Sequence, residues 1–139
     1  MLKFAQIGFG GLGKVHYNNI AAVTEKTGEI ELAALCDIDE NQFKRQTETN
    51  LGKNEVSLDF SGIHLYTDYK EMLEKEELDF VITALPTYLH AEVAIYALEK
   101  GNHVFSEKPM ALRVEDCEAM IEASRRNNVK LMIGQCLRF

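Results

Sequence analysis

Six residues close behind the N-terminus set the tightest limit on the fold. Gly8-Phe9-Gly10-Gly11-Leu12-Gly13 follows an apolar run over 3–7 and precedes a helical pattern over 12–25. Each glycine of a GxGxxG turn between a strand and a helix has a steric reason. Gly8 permits the tight turn out of the strand, Gly10 leaves the backbone bare to an approaching ligand, and Gly13 lets helix and strand pack closely. The helix opening there presents unpaired N–H groups and the positive end of its dipole, a setting suited to phosphate. Alone the pattern is weak, because a chain with nine glycines also contains ordinary turns.

The rest of the chain supplies the context. Strand-like runs over 3–7, 31–36, 64–66, 80–84, 103–106 and 130–133 alternate with helical patterns over 12–25, 40–51, 68–74, 89–100 and 114–127. Such alternation predicts βαβ units: an α/β, doubly wound, mainly parallel six-stranded Rossmann sheet with helices on both faces. Phe80-Val81-Ile82 and Leu131-Met132-Ile133 are continuous apolar runs, as strands covered on both faces require. Asp39 with Gln42 resembles a capping box opening the helix over 40–51. Val114, Cys117, Ile121 and Ser124 share one face of the last helix at helical spacing, and Gly101 stands where a C′ glycine closes the one before it. Residues 52–62 lack periodicity and read as a surface loop.

The second strand ends on an acid, Asp37. A carboxylate at that distance beyond a glycine turn accepts hydrogen bonds from the adenosine ribose of a dinucleotide and repels a 2′-phosphate. No arginine immediately follows it, so NAD is expected over NADP. A solvated strand end or a helix cap is the plainer reading of Asp37, but Asp39 already stands at the capping position.

The length of 139 residues fits one domain, and 46% hydrophobic content supports a full core. The formal charge of −7, with no basic stripe, argues against nucleic acid as partner. Cys36, Cys117 and Cys136 have no metal-type spacing and read as buried thiols of a reducing compartment. With no signal-like or membrane-length apolar segment, a cytoplasmic location and no membrane partner are expected. Four dispersed histidines make no metal site. Tyr66, Tyr69, Tyr88 and Tyr96 read as packing residues or surface amphipaths rather than a nucleic-acid stacking platform.

The second half carries Leu85-Pro86-Thr87-Tyr88-Leu89-His90 and the run Gly101-Asn102-His103-Val104-Phe105-Ser106-Glu107-Lys108-Pro109. Together with the glycine turn, His16 and the closing Arg138-Phe139, these segments resemble the glucose–fructose oxidoreductase, inositol dehydrogenase and MocA-like family over essentially the whole chain. The GxHVxxEKP setting is the most specific element. The resemblance implies that Gly8, Phe9, Gly10, Gly11, Leu12, Gly13, Asp37, Ile38, Ala84, Leu85, Pro86, Thr87, His90, Glu107 and Lys108 bind the cofactor. It places Glu107 and Lys108 near the nicotinamide, with a cis Lys108–Pro109 bond, and makes Lys108 the catalytic residue of this segment. A lysine there hydrogen-bonds the substrate oxygen or joins the proton relay.

On this resemblance, residues 1–139 are the dinucleotide-binding domain of a two-domain NAD-dependent dehydrogenase or reductase, homo-oligomeric when whole. A following α+β domain, absent from this chain, brings the sugar, inositol or related polyol substrate and further catalytic residues. The chain by itself is then expected to bind cofactor without turnover and to expose an apolar surface near 135–139. A non-catalytic nucleotide or small-molecule sensor, and an NAD-dependent redox-cycling hydrolase or lyase, are the alternatives. His16 reads as a packing residue, while His90 is divided between cofactor neighbour and helix-start residue. Arg113 departs from the family pattern, which often has Ser or Thr there, and the missing N-cap costs about 1 kcal/mol locally.

Overall fold

Strand β1 (Leu2–Ile7) is the centre of the structure, and residues Phe4 to Ile7 on it are buried whichever way their side chains point. In the computed structural model, which describes residues 1–44 and 58–138, it is followed by α1 (Gly11–Thr27), β2 (Ile30–Cys36), a 3₁₀ turn (Glu40–Phe43) and β3 (His64–Tyr66). Then come α2 (Tyr69–Lys75), β4 (Phe80–Thr83), α3 (Thr87–Glu99), β5 (His103–Ser106), α4 (Val114–Arg126), β6 (Leu131–Ile133) and a short 3₁₀ turn (Cys136–Arg138). The six strands form one sheet in the order β3-β2-β1-β4-β5-β6, and every neighbouring pair is parallel. This is the expected α/β, doubly wound architecture. Strand order reverses between β1 and β4, so their carboxyl ends bound the crevice in which such sheets hold ligands.

Two apolar clusters cover the sheet. One gathers Ala5, Ile7, Val81 and Val104 beneath Val93, Ala97, Leu98, Met120 and Ala123 of α3 and α4. The other joins Phe9, Tyr17 and Leu35, with Phe43 and Phe60 packed against them. Gly101 and Asn102 donate backbone N–H groups to the carbonyls of Leu98 and Ala97, the paired bonds of a Schellman ending where a C′ glycine was expected.

Four expectations are corrected. The segment from Glu40 begins as a 3₁₀ turn rather than an α-helix, because the Asp39 carboxylate takes the Asn41 N–H and Gln42 N–H bonds the Asp39 carbonyl. The proposed helix beyond residue 44 and the loop before 58 lie outside the described residues. No reciprocal capping box forms, since the Asp39 N–H donates to Asp37 Oδ1 at 2.9 Å and Gln42 reaches only the Asp39 carboxylate. On α4 the buried residues are Met120 and Ala123, while Val114 and Ile121 are exposed; the small Ala123 turns a neighbouring stripe toward α3. Cys36 is buried and Cys117 partly so, but Cys136 is exposed in the turn beyond β6. Arg113 makes no side-chain cap on α4, as its type implied. In the stretch near 135–139, Leu137 is fully exposed, and Phe139 lies outside the described residues.

Candidate functional site: the carboxyl edge of the sheet

Backbone hydrogen bonds bring four strand ends into one line. Gly8 N–H bonds the Cys36 carbonyl, Ala84 N–H the Ile7 carbonyl, and Glu107 N–H the Thr83 carbonyl, at 2.8, 2.8 and 3.2 Å. The glycine turn after β1, Asp37 after β2, Ala84–Thr87 after β4 and Glu107-Lys108 after β5 therefore share one edge.

The glycines of the turn divide into two kinds. Gly8 has φ +94, and a Cβ on it would lie 2.2 Å from the Ala84 carbonyl oxygen. A Cβ on Gly13 would lie 2.2 Å from the Gly8 carbonyl oxygen. Protein packing accounts for both. Among the described residues, a Cβ on Gly10 or Gly11 would meet nothing within 4 Å, so none of their atoms explains this bareness, whereas a ligand resting on that backbone would. Gly10 is the N-cap of α1, offers no capping side chain, and is followed by no acid in the first turn. The N–H groups that begin an α-helix have no intrahelical partner, which leaves this end fit for the pyrophosphate of a dinucleotide.

Buried beneath the turn, Gln6 donates from Nε2 to the carbonyls of Gly8 and Gly13 at 2.9 and 2.8 Å. Sequence reasoning passed over it; a polar residue inside an otherwise apolar strand was the available signal. Phe9 contributes differently from its neighbours. Its ring is fully buried against Tyr17, Phe43 and Phe60, and its N–H donates to Asp37 Oδ2 at 2.7 Å. The Asp37 carboxylate thus stands directly beside the glycine turn, one oxygen on Phe9 and the other on Asp39. Apolar Leu12, within the turn, and Ile38, next to Asp37 in the chain, are exposed, Ile38 by 91%.

The second half of the edge is built from Ala84, Leu85, Pro86 and Thr87, where α3 begins without a side-chain cap or an acid in its first turn. His90 is buried, its Nδ1 2.7 Å from the Pro109 carbonyl oxygen and its Nε2 2.8 Å from that of Leu85. Glu107 is largely buried. Its Oε1 lies 2.8 Å from His16 Nε2 and its Oε2 accepts the Lys108 N–H at 3.2 Å. His16 also sets its ring edge-on to Phe105, so packing, the expected role, is only part of what it does. The Lys108–Pro109 bond is cis, and Lys108 is exposed. The remaining histidines stand apart: His64 faces Glu76 and His103 Nδ1 accepts the Lys130 N–H.

Burial pushes the Cys36 thiol up to about 12, with the neighbouring Asp37 and Asp68 charges adding to the effect. The cysteine beside Asp37 is therefore a packed thiol and a poor nucleophile.

Residues 2–135 match the family model described as an oxidoreductase family with an NAD-binding Rossmann fold. An inositol 2-dehydrogenase from Salmonella typhimurium is 30% identical over 141 residues, covering 99% of this chain and 38% of the relative. A glycosyl hydrolase family 109 protein from Shewanella sp. (strain MR-4) is 29% identical over 139 residues, covering 99% of this chain and 30% of the relative. Among solved structures, scyllo-inositol dehydrogenase from Lactobacillus casei, with bound NAD(H) and scyllo-inositol, is similar with a TM-score of 0.79 and 28% identity, covering all of this chain and 37% of that one. The chain thus spans about a third of the length of the proteins it matches. Glycine turn, strand order and family match agree: the chain belongs to the glucose–fructose oxidoreductase, inositol dehydrogenase and MocA family of oxidoreductases, in its NAD-binding Rossmann part.

Proposed function

We propose that this chain holds NAD(H) along the carboxyl edge of its sheet and, within a longer two-domain protein, serves the oxidation or reduction of a sugar, inositol or related polyol. The observation that carries the reading is the bare Gly10 backbone at the uncapped start of α1 with the Asp37 carboxylate bonded to the same turn. The N–H groups of Gly11, Leu12 and Gly13 receive the pyrophosphate, and Asp37 receives the adenosine ribose hydroxyls, with Ile38 and Leu12 as apolar walls. Gly8 and Phe9 shape the turn. Ala84, Leu85, Pro86 and Thr87 line the nicotinamide side with Glu107 and Lys108, and His90 acts from beneath that segment. When bound, NAD supplies the hydride acceptor or donor. Lys108 presents its ammonium group to the substrate oxygen, stabilising charge that develops there or passing on its proton.

NAD over NADP rests on the carboxylate, since a 2′-phosphate beside Asp37 meets like charge with no arginine immediately after it in the chain. Titration of the chain with NADH and NADPH checks this. NADH binds at least about tenfold more tightly, as expected when a charged hydrogen bond is exchanged for repulsion, and Asp37→Ala narrows the gap. Equal affinities in the unmutated chain would overturn the assignment. The similarity to a glycosyl hydrolase family 109 protein favours one second reading, a hydrolase in which the hydride returns to the product. A full-length protein that cleaves a glycoside without net reduction of NAD would establish it.

A further inference from the structure

Lys108 lies in a segment, 107–113, with no helix or strand of its own, so its position depends on what grips its neighbours. Met110 and Ala111 pack against the core on one side. The residues on either side of the lysine are each gripped by a histidine, and the two histidines come from different helices. His16 of α1 contacts the Glu107 carboxylate at 2.8 Å, with side chains only 20% and 12% exposed. His90 of α3 contacts the Pro109 carbonyl at 2.7 Å while its other nitrogen reaches the Leu85 carbonyl at 2.8 Å. A carboxylate oxygen only accepts, so His16 donates from Nε2, whereas an imidazole with one N–H donates to one of the two carbonyls that His90 faces. A nearly buried carboxylate such as Glu107 needs such a donor, and the backbone N–H of Lys108 supplies its second one.

We infer that His16 and His90 are positioning residues for Lys108: two ties that fix the lysine segment to the two helices whose uncapped starts face the cofactor edge. His16 follows the glycine turn on the same rigid helix, so through Glu107 it sets the distance from the pyrophosphate end of the site to the lysine. His90 fills the space between the Leu85 and Pro109 carbonyls, 2.8 and 2.7 Å away, so its buried ring sets how far the lysine segment stands from the β4 loop. The inference rests on the dinucleotide reading above and adds to it the residues that align its two ends.

The test separates the two halves of the cofactor. ADP-ribose carries the adenosine and pyrophosphate but no nicotinamide, so it probes the glycine turn and Asp37 alone. In His16→Phe, which keeps a ring against Phe105 but cannot donate, NADH affinity falls about fivefold, the scale of one lost hydrogen bond. ADP-ribose affinity stays within about twofold of the unmutated chain. His16→Gln, whose amide nitrogen can take the place of Nε2, restores NADH binding to within about twofold. His90→Phe gives the same selective loss. Equal weakening of both ligands, no change in either, or failure of His16→Gln to restore binding would overturn the proposal while leaving the cofactor reading intact. Should the phenylalanine variants fail to fold, a long-range ¹H–¹⁵N spectrum of the unmutated chain decides: a proton on His16 Nε2 supports the tie, and an unprotonated Nε2 overturns it. A chain that binds neither NADH nor ADP-ribose overturns the cofactor reading and this inference together.

Discussion

The two halves of the carboxyl edge are built by different means. On the β1–β2 side, the groups offered to the ligand are mostly backbone, set by Gly8, Gly10 and Gly13 in one turn and by Asp37 bonded back to Phe9. On the β4–β5 side, the loops take their shape from side chains that arrive from helices far along the chain, His16 on Glu107 and His90 on Pro109. A turn whose ligand contacts are N–H groups takes its shape from its glycines, the helix behind it and the aromatic pocket that holds Phe9. A lysine that must meet a substrate at a set distance needs its neighbours held, and the ties come from wherever the fold brings a donor.

The sharpest way to break this contrast lies within the glycine turn itself. Gly13→Ala and Gly8→Ala each force a Cβ to within 2.2 Å of a backbone carbonyl oxygen, and overpacking of that kind costs about 3 kcal/mol; at Gly8 the positive φ adds strain. Urea denaturation should show both losses. Gly10→Ala meets no atom of the described residues within 4 Å, so its stability changes by no more than about 1 kcal/mol, while NADH affinity falls about tenfold or more because the methyl group stands where the pyrophosphate rests. A Gly10→Ala chain that binds NADH normally would remove the bare-backbone argument.

A smaller effect compares thiols on the two sides of the β1–β4 crevice. Cys36, buried behind Asp37 and raised to about 12, resists a maleimide reagent until the chain unfolds, whereas exposed Cys136 labels at once. Rapid labelling of Cys36 would mean that the β2 end opens in the native state, against the rigid turn described here.

The least effect is expected away from the site. Burial works to raise the Glu76 carboxyl, but hydrogen bonds from Tyr66 and His64 together with the nearby His64 and Lys3 charges outweigh it and hold the group below its usual range. A depressed carboxylate adds stability that is present above its unfolded value, about 4.3, and is lost as pH falls through the folded one. The stability gap between the unmutated chain and Glu76→Gln therefore closes in acid below about pH 4, with NADH binding near neutral pH unchanged in the variant.

Much of the fold could be read from the residues because parallel strands covered on both faces advertise themselves as unbroken apolar runs, and all six stand where they were expected to within two residues. The turn after β2 was misread because Asp39 can cap an α-helix or a 3₁₀ turn equally well, and what decides is the Asp39 N–H, which Asp37 takes. The stripe on α4 was misassigned because two stripes one residue apart both contain Cys117 and Ser124, and only packing against α3 selects Met120 and Ala123. At the site, the glycine spacing carried its own steric reasons, but the partners of His16 and His90 lie 91 and 19 residues away, and nothing in local spacing encodes such meetings. Gln6 escaped notice because its role is to tie two carbonyls that come together only after the helix has formed.

Phe9 gives the glycine turn an anchor of its own. Because its ring is wedged among Tyr17, Phe43 and Phe60, and Tyr17 in turn bonds the Asp59 carbonyl, the loop's shape is mortgaged to residues that never approach a ligand. Transplanting the six-residue turn into another sheet would strand an aromatic side chain with nowhere to go; the portable unit is the turn plus its three aromatic neighbours, moved as a set.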